Sequence, residues 1–287
     1  MDRILTGTIF GGYARVAIIT LKDAVNEEIK IHNLSPLSAA ALGRAMTAGA
    51  YIGANLKNKD DSYSLSVKGD GVIGGVIVAG KGDNTLNGYV VNPTADLPLK
   101  QNGHLDVGMG IGKGTMTVLK DLGLKEPYSG QIELVSGEIA EDFACYLNKS
   151  EGINSAVALG VLVDRTGCIG AGGIICEALP GIDENMLFML EDIAGQFGNV
   201  SKLLSEKIPE EIFDFYFGHL DARVFAAKEL KIKCGCSERK IKNVLIGLGK
   251  KECEDILSEQ GKIEINCRFC EKKYVYTKEK IESLWQQ

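Results

Sequence analysis

The sequence predicts an α+β protein: a large N-terminal domain of mixed sheet and helix, a helical linker, and a small C-terminal domain built around four cysteines. Three observations predict it. Residues 1–179 set short β-branched runs between glycine-rich turns, with a few helical patches segregated among them. Residues 180–227 replace that pattern with apolar stripes at helical spacing. Residues 228–287 carry two close cysteine pairs. A chain of 287 residues, 45% of them apolar, is long enough to bury one large core and one small one.

In the first region, Tyr63-Ser64-Leu65-Ser66-Val67, Gly88-Tyr89-Val90-Val91 and Met116-Thr117-Val118-Leu119 read as strands. A helix is expected from about Pro36 to Leu56, with Ser35 as N-cap and Pro36 at the first helical position. Its run of alanines and glycines predicts close packing against a sheet. A second helix is expected from about Glu138 to Lys149. Two glycine stretches invite a nucleotide reading. Gly69-Asp70-Gly71-Val72-Ile73-Gly74 fits G-x-G-x-x-G, but a strand pattern follows where a phosphate-binding helix is needed. Gly108 to Thr115 resembles a phosphate loop loosely, with Gly114 interrupting the Lys-Thr pair. Turns between twisted strands explain both better.

In residues 180–227, Asp183 is placed to cap a helix whose broad apolar stripe holds Met186, Leu187, Met189, Leu190, Ile193 and Phe197. A short helix through Leu203 and Leu204 follows. Pro209-Glu210-Glu211 then opens a third helix, its acids near the positive end of the dipole. The plain reading is that these helices dock on the first domain. The sharper one is an adaptable sticky surface through Met186, Met189, Leu190 and Phe197, since Met and Phe suit changeable partners.

The third region reads Cys234-Gly235-Cys236, thirty residues, then Cys267-Arg268-Phe269-Cys270. Two pairs at this spacing fit a four-thiolate zinc site, each pair presented on a turn. Ser237 is placed to cap a helix, a second helix ends at Gly261, and two short strands flank Cys267 and Cys270. None of the three histidines lies in this region, so four sulfurs are the simplest ligand count. About sixty residues make a marginal core, and a metal is the natural staple. The Cys234–Cys236 pair is also able to close on itself in a short, strained ring. Strained, exposed disulfides are labile or regulatory, which fits a metal site that oxidants open.

Composition excludes several classes. No apolar run is long enough for a transmembrane helix, and Met1-Asp2-Arg3-Ile4 lacks the apolar stretch of a signal peptide, so a cytoplasmic location is expected. In a reducing compartment eight cysteines point to metal or redox chemistry rather than structural disulfides. Cys145, Cys168, Cys176 and Cys253 stand among apolar neighbours and read as small buried hydrophobes. Residues 228–287 hold 14 basic and 10 acidic side chains, interleaved in sign, which is a solvated surface rather than a nucleic-acid footprint. No serine or cysteine has an activating histidine nearby in sequence, so no catalytic constellation is visible, although a pair distant in sequence can still meet in space.

Cys234-Gly235-Cys236-Ser237-Glu238-Arg239, with Cys267-Arg268-Phe269-Cys270 and Tyr274, resembles the heat shock protein thirty-three family of redox-regulated bacterial chaperones. Leu105-Asp106-Val107-Gly108, Pro127-Tyr128-Ser129-Gly130, Ser136 to Asp142 and Ala156 to Val161 extend the likeness over the whole chain. Two departures stand out. Ser150-Glu151-Gly152 replaces a usual Ser-Glu-Gln, and Cys253 stands where leucine is common. The resemblance implies an ATP-independent holdase for unfolding proteins, reduced and inactive with one zinc on Cys234, Cys236, Cys267 and Cys270. Oxidation then forms disulfides Cys234–Cys236 and Cys267–Cys270, releases zinc, loosens the module and linker, and yields a homodimer that passes clients to an ATP-driven foldase system. The resemblance gives weight to the linker stripe as a client-binding surface, on the expectation that those helices lean on the module. Neither nucleic acid nor membrane is an expected partner. The competing reading is a static zinc ribbon binding RNA or DNA through Arg268, Lys272, Lys273 and the neighbouring aromatics.

Overall fold

The structure, a computed structural model, describes residues 1–285. It divides into two compact units, Met1–Lys233 and Cys234–Gln287.

The first unit runs β1 (Arg3–Ile9), β2 (Ala14–Thr20), α1 (Lys22–His32), α2 (Pro36–Ala54), β3 (Ser62–Gly69), β4 (Gly75–Lys81), β5 (Thr85–Val90), α3 (Val107–Ile111), β6 (Gly114–Asp121), β7 (Tyr128–Glu133), α4 (Ala140–Glu151), β8 (Ser155–Asp164) and β9 (Gly167–Ala178). Three helices follow, α5 (Glu184–Gly195), α6 (Val200–Glu206) and α7 (Pro209–Phe217), and then three two-residue strands, β10 (Arg223–Val224), β11 (Lys228–Glu229) and β12 (Lys231–Ile232). One sheet has the order β10-β1-β2-β9-β8, with β11 also on β1; the other has the order β12-β5-β4-β3-β6-β7. All pairings are antiparallel except β12 with β5.

α2 lies between the two sheets, and the small residues of the sequence explain how. Of its 19 residues 16 are buried, so it has no solvent face to make it amphipathic. A Cβ on Gly43 would stand 2.6 Å from Val161 of β8, and one on Gly49 2.8 Å from Val78 of β4. Glycine thus lets the helix approach both sheets. Ser35 caps it as expected, accepting from the Ser38 amide.

The first sheet is apolar on both faces. Along β2, Ala17 and Ile19 face the core shared with α2, while Val16 and Ile18 face the other way with Leu5, Ile9, Ile174 and Cys176. That second face is covered by α5, α6 and α7 through Leu190, Ile193, Phe197, Val200, Leu204, Ile212, Phe213 and Phe217. Sheet alternation is therefore hidden in β2, where both parities are buried.

The expected strands at residues 63–67, 88–91 and 116–119 fall in β3, β5 and β6, with Val91 just past the end of its strand. The two glycine stretches pack on each other, and one is not a simple turn. Residues 107–111 form a short helix capped by Asp106, and its carbonyls at Gly110 and Ile111 accept the amides of Ile73 and Gly71. A Cβ on Gly71 would meet the Gly110 oxygen at 2.4 Å. Backbone takes the place that a nucleotide phosphate would need. The helix expected from Glu138 starts at Ala140, because the Asp142 carboxylate gathers the amides of Val135, Ser136, Gly137 and Ile139 and holds those residues in a turn. Gly152, one of the departures from the family pattern, is the left-handed residue that ends α4 at φ 71°, where glycine is favoured.

The second unit comprises α8 (Glu238–Leu248), α9 (Lys250–Gln260), the hairpin β13 (Ile263–Asn266) and β14 (Lys273–Tyr276), and α10 (Lys278–Glu282). Ser237 caps α8 by accepting from Lys240, and Gly261 ends α9 in the left-handed region. Its buried cluster is Leu245, Cys253, Ile263, Tyr274, Tyr276 and Ile281. None of the described helices is long and apolar enough to cross a membrane.

Candidate metal centre and the covered apolar face

The second unit brings its two cysteine pairs together from opposite sides. Cys234 and Cys236 sit on the extended segment entering α8, and Cys267 and Cys270 on the knuckle joining β13 to β14. The knuckle is closed by main-chain bonds: the Cys267 amide donates to Lys272, and the Cys270 and Glu271 amides donate to Cys267. All four Sγ atoms lie within 4.8 Å of one another. The nearest contacts run across the pairs, Cys234 to Cys267 at 3.6 Å and Cys236 to Cys270 at 3.5 Å. Sulfurs about 2.3 Å from a tetrahedral zinc stand about 3.8 Å apart, so the spacing and the all-sulfur donor set fit such an ion. The thiols are half-buried, within reach of an oxidant.

The thiols of the site are tuned in opposite directions. Burial raises the thiols of Cys234 and Cys270 above their ordinary value. Burial acts the same way on Cys236 but is outweighed by hydrogen bonds from the Tyr274 hydroxyl, 3.1 Å away, and from the neighbouring thiols, which hold it down to about 7. Tyr274 is fixed for this task by its place in β14 opposite Ile265. Sequence reading used Tyr274 only as part of a motif and missed its bond to the sulfur. Its position four residues past Cys270 was the available signal.

The solitary cysteines divide. Cys168, Cys176 and Cys253 are buried, and burial pushes Cys168 and Cys176 up to about 12, which leaves them as unreactive thiols. Cys145 is only half-buried at the margin of the large core, because it lies on a part of α4 that is not fully covered. Cys253 sits in the small cluster with Cys236 and Cys267 packed on its edge, and its Sγ donates to the Leu245 carbonyl.

The linker stripe splits as well. Leu190 and Phe197 are buried, Met186 is partly buried, and Met189 is exposed. Leu190, Ile193 and Phe197 pack on one face of the first sheet, as the plain reading of docking on the first domain expects. Phe188 and Phe215, both more than 70% exposed, line a groove with Met189 and His219 that the sequence reading passed over.

Comparison with known proteins bears on both features. The family model described as Hsp33 protein matches residues 2–277. The chain belongs to the Hsp33 family. It is 42% identical over 290 residues to a 33 kDa chaperonin of Clostridium perfringens, covering all of this chain and 92% of that one. A 33 kDa chaperonin of Caldanaerobacter subterraneus is 41% identical, with 99% and 97% covered. The crystal structure of a 33 kDa chaperonin from Thermotoga maritima, named as a heat shock protein 33 homolog, superposes with a TM-score of 0.91 at 38% identity, over 99% of this chain and 97% of that one. The family is one of chaperones, and the α+β fold with its C-terminal cysteine cluster is the Hsp33 fold.

Proposed function

We propose that this chain is a cytoplasmic, redox-regulated and ATP-independent holdase that captures unfolding proteins under oxidative stress, and that it is not an enzyme. Its division of labour is a core over residues 1–179, a helical cover over 180–227 and a zinc switch over 228–287. The observation that carries the reading is the convergence of four oxidisable thiols in a unit with only six buried side chains in its cluster. Zinc on Cys234, Cys236, Cys267 and Cys270 supplies the stability that this cluster lacks, on the order of 10–16 kcal/mol of apparent binding energy. Hydrogen peroxide, one molecule for each of the pairs Cys234–Cys236 and Cys267–Cys270, takes two electrons from that pair and is reduced to two waters. Two disulfides and water form, the thiolates are lost as ligands, and the metal leaves.

The release passes to the first unit through the chain itself. Lys233 joins the module directly to β12, and β10, β11 and β12 are two-residue strands on sheet edges. Such short pairings open at little cost. Fraying them frees the end of α7, and then the covered face. Leu5, Ile9, Val16 and Ile18 of the sheet become available together with Leu190 and Phe197 of the helices. Exposed apolar surface binds unfolding clients and supports a homodimer; clients pass later to ATP-driven foldases.

The test is aggregation of a heat-denaturing enzyme followed by light scattering, without ATP. Oxidised, zinc-free protein is expected to suppress it and reduced, zinc-loaded protein not to. Equal suppression by both states sinks the switch.

A further inference from the structure

The redox switch leaves one edge of the first sheet without a task. On the β1 side the sheet is closed by β10 and β11, whereas β8 pairs with β9 alone. The direction of the β8 main chain follows from its neighbours. The Ala171 carbonyl on β9 accepts the Leu21 amide, so Ala171 turns its main-chain groups away from β8. Val161 stands opposite Ala171 in the register. It is therefore a non-hydrogen-bonded partner, with its amide and carbonyl aimed outward, and alternation aims those of Leu159 the same way. Among the described residues, no hydrogen bond from any other element reaches this edge.

The edge is long and uncharged. β8 has ten residues, and from Ser155 to Val163 it carries no charged side chain and no proline, the devices that commonly keep a free edge from pairing with another chain. The free edge of the second sheet, β7, has six residues and ends on Glu133. A cavity of about 700 Å³ runs beside β8, lined by every residue from Leu159 to Val163. Val161 packs towards Gly43 of α2, while a Cβ on Gly160 would meet Val200 of α6 at 2.8 Å. Residues from both faces of the strand thus border one cavity, which places it along the edge. Leu97, Leu99, Leu105 and Val200 give it apolar walls. A row of outward amides and carbonyls is matched by one kind of partner, the main chain of another extended segment, and apolar walls select apolar side chains on it.

We propose that the outer edge of β8 takes up an extended apolar segment of an unfolding protein as an added strand, in the reduced, zinc-holding state. The Leu159 and Val161 main chain pairs with that of the segment, and the cavity walls cover its side chains. The inference rests on the chaperone reading for its partner, an unfolding chain. It needs neither oxidation nor movement of α5, α6 and α7. A single added strand is weakly held, so the reduced protein still fails to suppress aggregation.

The experiment uses the full chain, reduced, zinc-loaded and isotope-labelled. It is titrated with a short peptide that alternates valine and threonine, with a glutamate at each end for solubility, and amide exchange is read residue by residue. Saturable slowing is expected at Leu159 and Val161, whose amides face the edge, and not at Ala158 and Gly160, which face β9. The same peptide, N-methylated throughout, is expected to lose binding because its main chain has no donor left. Leu162→Lys puts a charge into the cavity from a half-buried position and is expected to weaken binding by about tenfold or more, the loss of one buried leucine contact. Binding that survives N-methylation or is untouched by Leu162→Lys overturns the site, as does slowing confined to α5, α6 and α7. Slowing at Leu159 and Val161 that rises with protein concentration in the absence of peptide also overturns it, in favour of β8 pairing with a second copy. Only reduced protein is used, so failure here leaves the redox switch standing, and failure of the light-scattering test leaves this edge standing.

Discussion

The two units solve the same problem with different materials. The first holds itself together with apolar area. Two sheets close on a helix that is buried on every side, and a second apolar face is shut by three more helices. The second has one small cluster of six buried residues, two of them tyrosines and one a cysteine, beside four convergent thiols. Burial is insensitive to oxidants, whereas thiolate ligation is lost to them. On the proposed switch, apolar packing keeps the first unit folded while the second responds to oxidants.

The sharpest way to break this contrast is to remove one sulfur. Cys234→Ser, Cys236→Ser, Cys267→Ser or Cys270→Ser is expected to abolish stoichiometric zinc and, with it, amide protection across residues 238–282, while β2, β3 and α2 keep theirs. A zinc assay and hydrogen exchange on the same sample check it, and loss of protection in both units together would mean that they are not separable. The converse experiment weakens burial and leaves sulfur alone. Phe217→Ala empties a fully buried site in the helical cover, at a cost of about 3–5 kcal/mol. The reduced, zinc-loaded variant is expected to suppress aggregation without oxidation, with zinc unchanged.

A finer test concerns pH. The folded module holds Cys236 down to about 7 from the ordinary 9.0, so it favours the thiolate. That contribution is complete above about 9 and disappears as pH falls through about 7. Zinc retention against a chelator should therefore weaken across that window, since protons compete for the ligands. Tyr274→Phe removes a hydrogen bond that lowers the value, and its loss of zinc should set in at higher pH than in the parent. An unchanged midpoint would show that Tyr274 does not tune the site. The smallest effects belong to the solitary thiols. Cys176→Ala should lower stability by about 1–2 kcal/mol and the half-buried Cys145→Ala by under about 1, both measured by denaturant unfolding, with zinc and the redox response intact.

Much of this contrast was legible in the residues. The cysteine spacing marked the four-thiol cluster, and Ser35, Asp183 and Ser237 marked three helix starts that the structure keeps. What was hidden depended on contacts distant in sequence. The apolar stripe of α5 has the same period whatever it meets, and only the tertiary arrangement sets it against β8 and β9. The Asp142 carboxylate accepts from the N-cap amide of Ile139 in the usual capping-box manner, but it also holds amides up to seven residues upstream, which that pattern does not foretell. Likewise, nothing local says that the glycines near residues 71 and 110 are each other's neighbours.

The three short strands after α7 also decide how the molecule can be cut. Arg223, Lys228, Lys231 and Lys233 are all exposed, yet each of the first three lies in a strand on a sheet edge, and the Lys233 amide donates to the Leu86 carbonyl. Proteases work on extended chain that is free to enter their cleft, so these sites are shielded by pairing and not by depth. Once the strands fray, four trypsin-type positions open at the junction between the units. A single cut there severs the cysteine unit from the first unit.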